Sequence, residues 1–157
     1  MGPVTSIHIA PGARLPMQAR TEVDVETGKG IVGDRYHGTR HRHVTVQSGE
    51  ELGQAAAEYG APIDPAGTRR NVTIASGLLD RTPGARMRVG EVLLEVVRDA
   101  APCKLIEGVL GRDVRLALHK RAGVVCRTIE GGRIRVGDAV QWVKPPAATA
   151  ETRSGPG

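Results

Sequence analysis

The chain changes from strand to helix within one short stretch, His43-Val44-Thr45-Val46-Gln47-Ser48-Gly49-Glu50-Glu51. Apolar and polar residues alternate over 43–46, which predicts a β-strand with one face in a core. Ser48, followed by Glu51 three residues later, is a capping-box pattern and predicts that a helix begins there. The apolar stripe that follows ends before Gly60, a residue typical of helix ends. A strand that leads directly into a capped helix is therefore the starting point for the fold.

The alternation of the first strand recurs along the chain. Six further segments show it with β-branched enrichment: Thr5–Ile9, Thr21–Val25, Asn71–Ile74, Glu91–Val97, Val124–Ile129 and Ala139–Val143. Seven or so short strands predict a mainly β protein with a closed or nearly closed antiparallel sheet. Arg86–Glu91 and Arg133–Asp138 are similar to each other, and each is predicted to form a strand, a glycine turn and a return strand. A second helix is predicted from about Lys104 to Lys120, with a break at Gly111.

The length and composition predict one domain with a short tail. A chain of 157 residues suits a single hydrophobic core, expected here over residues 1–143. From Lys144 onward, residues 144–157 lack apolar periodicity and are predicted to be a disordered tail. No run approaches the roughly 20 apolar residues of a membrane span, and the segment from Met1 to Arg14 is unlike a signal peptide. We therefore expect a cytoplasmic protein without membrane association.

The charge pattern favours a small anionic ligand. The formal net charge is +5, from 22 basic and 17 acidic residues, while there are only one Trp, two Tyr and no Phe. So few aromatic residues argue against base stacking and hence against nucleic acid as a partner. The arginines are scattered among glycine-containing turns, which favours several loops converging on one compact anion.

Cys103 is the principal candidate for chemistry. Pro102 precedes it, Lys104 follows it, and the predicted helix would direct its positive dipole end at the sulfur. These features favour the thiolate, the form that attacks electrophiles, holds a persulfide or binds a soft metal. From local sequence alone an ordinary buried thiol remains an open alternative. Cys126 lies mid-strand in an apolar run and is predicted to be a core thiol, so two cysteines give no disulfide framework.

Two arginine-containing segments are candidate anion sites. Residues 30–38 contain glycines together with Asp34 and Arg35, and glycines permit close approach of the backbone to a ligand. Residues 67–71 place two arginines and Asn71 directly before a predicted strand, where guanidinium groups can bind a phosphate or carboxylate in bidentate fashion. Ordinary charged turns are the alternative for both segments.

Three histidines stand close together in the sequence, His37, His41 and His43. Histidines at such spacing can bind a metal, but no Asp or Glu accompanies them at a recognised ligand spacing. Loop or surface histidines are therefore the favoured interpretation.

The order of these motifs resembles the MOSC domain, the C-terminal module of molybdenum cofactor sulfurases. The matching motifs, in chain order, are Gly-Ile-Val-Gly-Asp-Arg at 30–35, His-Val-Thr-Val-Gln at 43–47, Arg-Arg-Asn-Val-Thr at 69–73, the Val-Gly-Glu hairpin at 89–91, Pro-Cys at 102–103 and Gly-Gly-Arg-Ile-Arg-Val-Gly-Asp-Ala-Val at 131–140. The resemblance covers roughly Val4 to Val143. It implies a MOSC-like β-barrel of short antiparallel strands with two or three flanking helices.

The same resemblance implies roles for individual residues. Cys103 matches the family cysteine that binds sulfur or ligates molybdenum, so it is both the catalytic and the metal-binding candidate. Arg70 and Asn71 match residues that help bind the molybdopterin cofactor in larger relatives, and Arg35 and Lys104 are further cofactor-binding candidates. Pyridoxal phosphate is also associated with the family, but no lysine of this chain has a recognisable Schiff-base context, which argues against that cofactor.

Three functions follow from this resemblance and remain open. In the first, Cys103 receives sulfur as a persulfide from a donor such as a cysteine desulfurase and transfers it to a small acceptor, including a molybdenum-pterin cofactor. In the second, Cys103 is the nucleophile of an enzyme that makes or cleaves a C–S bond in a small thiol conjugate. In the third, the domain binds molybdopterin or another anion without catalysis. The first two, which the residues favour, would make the protein an enzyme.

Overall fold

The structure, a computed structural model, describes residues 1–102 and 114–144. Eleven strands lie within these ranges: β1 (Val4–Ile9), β2 (Gln18–Arg20), β3 (Glu22–Glu26), β4 (Gly30–Ile31), β5 (Val44–Ser48), β6 (Val72–Ile74), β7 (Arg86–Val89), β8 (Val92–Asp99), β9 (Val124–Glu130), β10 (Gly132–Arg135) and β11 (Val140–Val143). Every strand predicted from alternation is confirmed, and no end is displaced by more than two residues. The mainly β class is confirmed as well.

The strands form two sheets. The larger has eight strands in the order β11-β7-β8-β9-β5-β6-β1-β2, and the smaller has three in the order β10-β3-β4. The prediction of a purely antiparallel sheet is wrong, because β5 and β6 pair in parallel. A helix lies between these two strands in the chain, and such a crossover returns the second strand in the same direction as the first. Closure into a barrel remains a prediction.

The first helix, α1 (Gly49–Tyr59), begins and ends where the sequence predicts. The Ser48 hydroxyl accepts a hydrogen bond from the Glu51 N–H, and Gly60 ends the helix with a φ of 87°. The reciprocal half of the predicted capping box is absent. The buried Glu51 carboxylate instead accepts from the Leu79 N–H and pairs with Arg81. These contacts join the helix to the loop after β6.

The second predicted helix is only partly testable. Residues 103–113, including Gly111, lie outside the described residues, and a helical turn, α2 (Val114–Ala117), is present beyond them. It ends earlier than predicted, since Lys120 has a φ of 54°, which is left-handed backbone. A short 3-10 helix, Pro65–Thr68, completes the helical elements of the described ranges.

The two similar segments fold differently. Arg86–Glu91 forms the predicted hairpin, in which β7 and β8 pair across the turn at Gly90. The prediction of a second hairpin at Arg133–Asp138 is wrong, because β10 pairs with β3 while β11 pairs with β7. The backbone N–H of Arg135 donates to the Asp138 carboxylate at this turn, so the chain passes here from the smaller sheet to the larger one.

Two apolar clusters stabilise the fold. The main core consists mostly of inward-facing Val, Ile and Leu from both sheets, and the smaller cluster joins α1 to α2 through residues such as Leu52, Val114 and Leu118. Each fully buried side chain of this size contributes about 1.5–3 kcal/mol. No helix in the described ranges is long and apolar enough to cross a membrane.

Candidate functional site

Loops at the end of β1 and before β5 and β6 enclose a cavity of about 160 Å³. It is lined by Ala13, Arg14, Arg35, Tyr36, Arg42, Arg69 and Arg70, and we refer to it as the arginine cavity. Five of these seven side chains are arginines and none is acidic. Guanidinium groups offer planar arrays of N–H donors, so the cavity is suited to an oxyanion.

Arg70 is the most deeply buried of these arginines, with only 2% of its surface exposed. Its Nε donates to the Ala122 carbonyl and its Nη2 donates to the Ala101 carbonyl, each at 2.8 Å. Arg69 precedes it with a φ of 62°, an αL turn that ends the 3-10 helix before β6 begins. Arg70 therefore fixes the chain before α2 and the chain before β9 against the cavity.

Asp34 lies beneath the cavity and joins three loops. Its carboxylate accepts hydrogen bonds from the N–H of Ala10 at 3.0 Å and of Tyr36 at 3.2 Å. It also accepts from Asn71 Nδ2 at 3.4 Å and pairs with Arg35 Nη1 at 3.2 Å. Because the Asp34 side chain has no solvent exposure, these N–H groups replace the water that a carboxylate otherwise needs.

The Arg35 guanidinium is held in place by groups besides Asp34. Nη2 donates to the Arg69 carbonyl at 3.2 Å, and Nη1 lies 3.6 Å from the Met17 sulfur. The guanidinium carbons of Arg35 and Arg42 lie 4.5 and 4.3 Å from the centre of the Tyr36 ring, a cation–π geometry. The aromatic ring thus positions two arginines of the cavity at once.

Asn71, a predicted cofactor-binding residue, is bonded within the protein. Its Oδ1 accepts from the Thr45 N–H and hydroxyl at 3.0 and 3.1 Å, and its Nδ2 donates to the His8 carbonyl at 3.1 Å. With 1% exposure it lies behind the cavity wall. Asn71 directly precedes β6, and its amide extends the hydrogen bonding of the sheet to neighbouring β5 and β1. The same amide also donates to Asp34.

The two cysteines differ in what the structure reveals. Cys103 and Lys104 lie outside the described residues, although Ala101, two residues before the cysteine, accepts the hydrogen bond from Arg70. Cys126 is fully buried in β9, which confirms the predicted core thiol. Burial raises the pKa of the Cys126 thiol, so it stays protonated and unreactive at neutral pH.

The three neighbouring histidines have different surroundings in the structure. His43 is buried, with its Nε2 2.8 Å from the Thr39 carbonyl and its Nδ1 accepting from the Thr128 N–H at 2.9 Å. His37 instead faces Glu26 at 3.2 Å. Among residues 1–102 and 114–144 there is no group of three or more His, Cys, Asp or Glu side chains placed to hold a metal ion.

A second, larger cavity adjoins the first. It measures about 420 Å³ and is lined by Arg14, Pro16, Met17, Asp64, Ala66, Gly67 and Arg69. Arg14 and Arg69 line both cavities, so the two share a wall. Only the larger one falls within the range of about 300–1,000 Å³ that is typical of small-molecule sites.

Of the five lining arginines, Arg35, Arg69 and Arg70 belong to the segments predicted as anion sites, whereas Arg14 and Arg42 lie outside those segments. The available signal for Arg14 was its position in a loop directly after β1, behind a Pro-Gly turn, because binding residues concentrate on such loops. No comparable signal exists for Arg42. Its place over Tyr36 depends on how the loop before β5 folds back.

Comparison with known proteins agrees with this architecture. The sequence model of the MOSC domain matches residues 33–141. Among solved structures, the YuaD protein from Bacillus subtilis superposes with a TM-score of 0.75 at 21% identity, covering 87% of this chain and 92% of that one. YiiM from Geobacillus stearothermophilus gives 0.69 at 16% identity, with 90% and 76% covered, and YiiM from Escherichia coli gives 0.66 at 16%, with 91% and 70% covered. No curated protein matches the sequence.

Proposed function

The chain belongs to the MOSC domain family, which is associated with molybdenum cofactor sulfurase-related function, and we propose that it transfers sulfur through Cys103 to an acidic acceptor. The observation that supports this most is the bond from Arg70 to Ala101. Two residues extend at most about 7 Å, so Cys103 follows closely on a backbone group that is anchored to the arginine cavity. Nearby cations favour the thiolate form of a cysteine.

The proposed reaction needs neither an oxidant nor a reductant beyond its donor. The Cys103 thiolate attacks the outer sulfur of a donor persulfide, the donor S–S bond breaks, and the donor sulfur departs with the electron pair as a thiolate, which takes up a proton from solvent. Cys103 then holds the outer sulfur as its own persulfide. A thiol or other soft nucleophile on the acceptor attacks that sulfur, and Cys103 departs as a thiolate. The arginine cavity would bind the acidic group of the acceptor during the second step.

The residues of the cavity fit the anionic part of a molybdenum-pterin cofactor. Five arginines suit its phosphate group, with Arg35 and Arg70 held by the bonds described above. When bound, the cofactor would supply two-electron redox chemistry at molybdenum, and Cys103 would be its soft ligand. Asn71 would act indirectly, by supporting Asp34 behind the cavity.

Mass spectrometry of the intact protein tests the proposal. The protein is incubated with a cysteine desulfurase and cysteine, and we expect the mass to rise by one sulfur atom. Cys103→Ala should lose the gain, while Cys126→Ala should retain it because that thiol is buried in β9. The absence of a gain in the wild type, or an equal gain in Cys103→Ala, would contradict the proposal.

A second candidate is a binding module without catalysis. It is favoured by the arginine cavity, where five of the described lining residues are arginines that can bind an anion without a chemical step. Metal analysis distinguishes it from sulfur transfer. Stoichiometric molybdenum in the purified protein, together with no sulfur gain on Cys103, would favour the binding module.

A further inference from the structure

We propose that Arg81 and Asp99 are positioning residues for Cys103. Together they fix the end of β8, so that the cysteine four residues later meets its sulfur donor in one orientation. This inference rests on the proposed function, because it concerns the same thiol and the same transfer step. It assigns a part in that step to an ion-pair network that lines neither of the two cavities.

Residues 99–101, which we call the stem, lead from β8 toward Cys103. Each of the three is held in a hydrogen bond of its own: Asp99 to Arg81 Nε at 2.8 Å, Ala100 to the Gly123 carbonyl at 2.9 Å, and Ala101 to Arg70 Nη2 at 2.8 Å. Three consecutive anchored residues extend the fixed geometry of the sheet up to the residue before Pro102. The Asp99 bond is the one that depends on a side chain of the stem itself.

Arg81 is held more firmly than an ordinary surface arginine. Its Nη1 donates to Glu51 Oε2 at 3.3 Å and to the Leu79 carbonyl at 3.0 Å, and its Nη2 pairs with Glu51 Oε1. The Glu51 side chain is only 3% exposed and also accepts from the Leu79 N–H. A guanidinium that is fixed by a bidentate carboxylate directs its Nε–H one way. Arg81 therefore joins the start of α1 rigidly to Asp99.

A β-bulge lies directly before the stem. The register between β8 and β9 shifts between Val96 and Arg98, which leaves Val97 as an extra residue. A bulge bends its strand and redirects the side chains that follow, and bulges are frequent beside functional sites. This bulge stands two residues before Asp99, the side chain that meets Arg81.

The two carboxylates of the network differ in exposure, so their roles can be separated by mutation. Glu51 is buried, and removal of its partner Arg81 would leave a buried charge and destabilise the fold. The Asp99 side chain is 37% exposed, and an ion pair at such a position contributes little to stability. A folded Asp99 variant that transfers sulfur slowly therefore reports on positioning rather than on stability.

The test compares Asp99→Ala with Asp99→Asn, because only alanine removes the acceptor for Arg81 Nε. The rate of sulfur gain on Cys103 is measured by mass spectrometry while the concentration of a persulfide-loaded desulfurase is varied. We expect Asp99→Ala to lower the maximal rate about tenfold and to change the half-maximal donor concentration by less than about twofold, since misplacement of a nucleophile slows the chemical step. Asp99→Asn should keep at least about half of the wild-type rate.

Glu95→Ala is the matched control. Glu95 lies in the same strand and also binds arginines, Arg86 and Arg127, but it stands eight residues before Cys103 and outside the stem. This variant should gain sulfur at the wild-type rate. The urea midpoints of both Asp99 variants should lie within about 0.5 M of the wild type.

Hydrogen exchange at the Ala100 amide tests the anchoring without the reaction. In Asp99→Ala this exchange, corrected for its intrinsic rate, should be about tenfold faster than in the wild type, because the bond to the Gly123 carbonyl opens more often. Asp99→Asn and Glu95→Ala should both match the wild type.

Each other outcome would overturn the inference. Unchanged exchange at Ala100 in Asp99→Ala, or equal rates of sulfur gain in Asp99→Ala and Glu95→Ala, would exclude the positioning role. A rate in Asp99→Asn as low as in Asp99→Ala would assign the effect to charge, and a urea midpoint outside the stated range would make Asp99 a structural residue. Absence of sulfur gain in the wild type would contradict the proposed function, whereas the exchange rates decide separately whether Asp99 anchors the stem.

Discussion

Arg70 and Arg14 line the same cavity, but the protein holds them in opposite ways. Arg70 is 2% exposed and donates to the carbonyls of Ala101 and Ala122. Arg14 is exposed on a loop and has no hydrogen-bond partner within the described ranges. The cavity therefore has a preorganised side, formed with Asp34 and Asn71, and an adaptable side on the loop after β1. Preorganised donors cost little ordering entropy on binding, whereas an adaptable donor can close after the ligand has entered.

The largest effect is expected from Asp34→Ala, which removes the centre of the preorganised side. The N–H groups of Ala10 and Tyr36 and the Arg35 guanidinium would lose their buried acceptor, at a cost of about 3–5 kcal/mol in unfolding free energy. Urea denaturation measures this. Asp24→Ala, which removes an exposed carboxylate paired with Arg133, should cost less than about 1 kcal/mol. Equal losses in the two variants would show that Asp34 is not a structural centre.

Arg70→Lys should have the next largest effect. Lysine keeps the charge but lacks the planar fork, so it can serve only one of the two carbonyls, Ala101 or Ala122. We expect a loss of about 1.5–3 kcal/mol in urea denaturation. Arg86→Lys, at an exposed pair with Glu95, should stay within about 0.5 kcal/mol of the wild type. A neutral result at Arg70 would contradict its role as an anchor of the chain before Cys103.

Stability should also fall below neutral pH. Burial lowers the pKa of His43 from 6.5, an effect that its bond to Thr39 opposes only in part, and burial likewise lowers the pKa of His8. The unfolded chain then binds more protons than the native one, so stability is complete above about pH 7 and declines as pH falls. The unfolding free energy can fall by at most about 1.4 kcal/mol per pH unit for each histidine.

Denaturation at pH 7.5 and 5.5 measures this dependence. His43→Gln should reduce the slope, whereas His41→Gln, at an exposed loop residue, is the control. A wild-type stability that does not change between these pH values would contradict the burial of neutral His43.

The smallest effect on stability is expected on the adaptable side. Arg14→Ala should change the unfolding free energy by less than about 0.5 kcal/mol, because no described contact is lost. Arg14→Gly should raise it by up to about 1 kcal/mol, since glycine adopts a φ of 66° without strain. A large destabilisation in either variant would mean that Arg14 is part of the scaffold.

Local patterns predicted the strands of this fold more completely than their pairing. The alternation of apolar and polar residues locates β1 or β9, because a strand with one buried face shows this pattern. The pattern does not identify the neighbouring strand in the sheet. The segments Arg86–Glu91 and Arg133–Asp138 have nearly the same sequence pattern, yet only the first is a hairpin. At the second segment the Asp138 carbonyl accepts from the Val4 N–H of β1, so the difference between the two segments depends on tertiary contacts.

The candidate site was predictable to a similar degree. Arg35 and Arg70 stand in motifs whose order resembles a known family, and both line the cavity. Asn71 was predicted to bind a cofactor, which stays a prediction; the contacts of its amide with Thr45, His8 and Asp34 depend on tertiary structure that the sequence does not show. The Pro-Gly turn before Arg14 indicates a loop, but it does not show that this loop folds beside two cavities.

The claim that Cys103 and the arginine cavity form one site can be tested through the charge preference of the thiol. The rates of alkylation by iodoacetate, an anion, and by neutral iodoacetamide are compared in Cys126→Ala, which leaves Cys103 as the reactive cysteine. We predict a higher iodoacetate-to-iodoacetamide ratio than in a peptide of residues 99–107, and a loss of that preference with saturating phosphate or in Arg14→Ala. A ratio equal to that of the peptide and insensitive to phosphate would contradict a shared site.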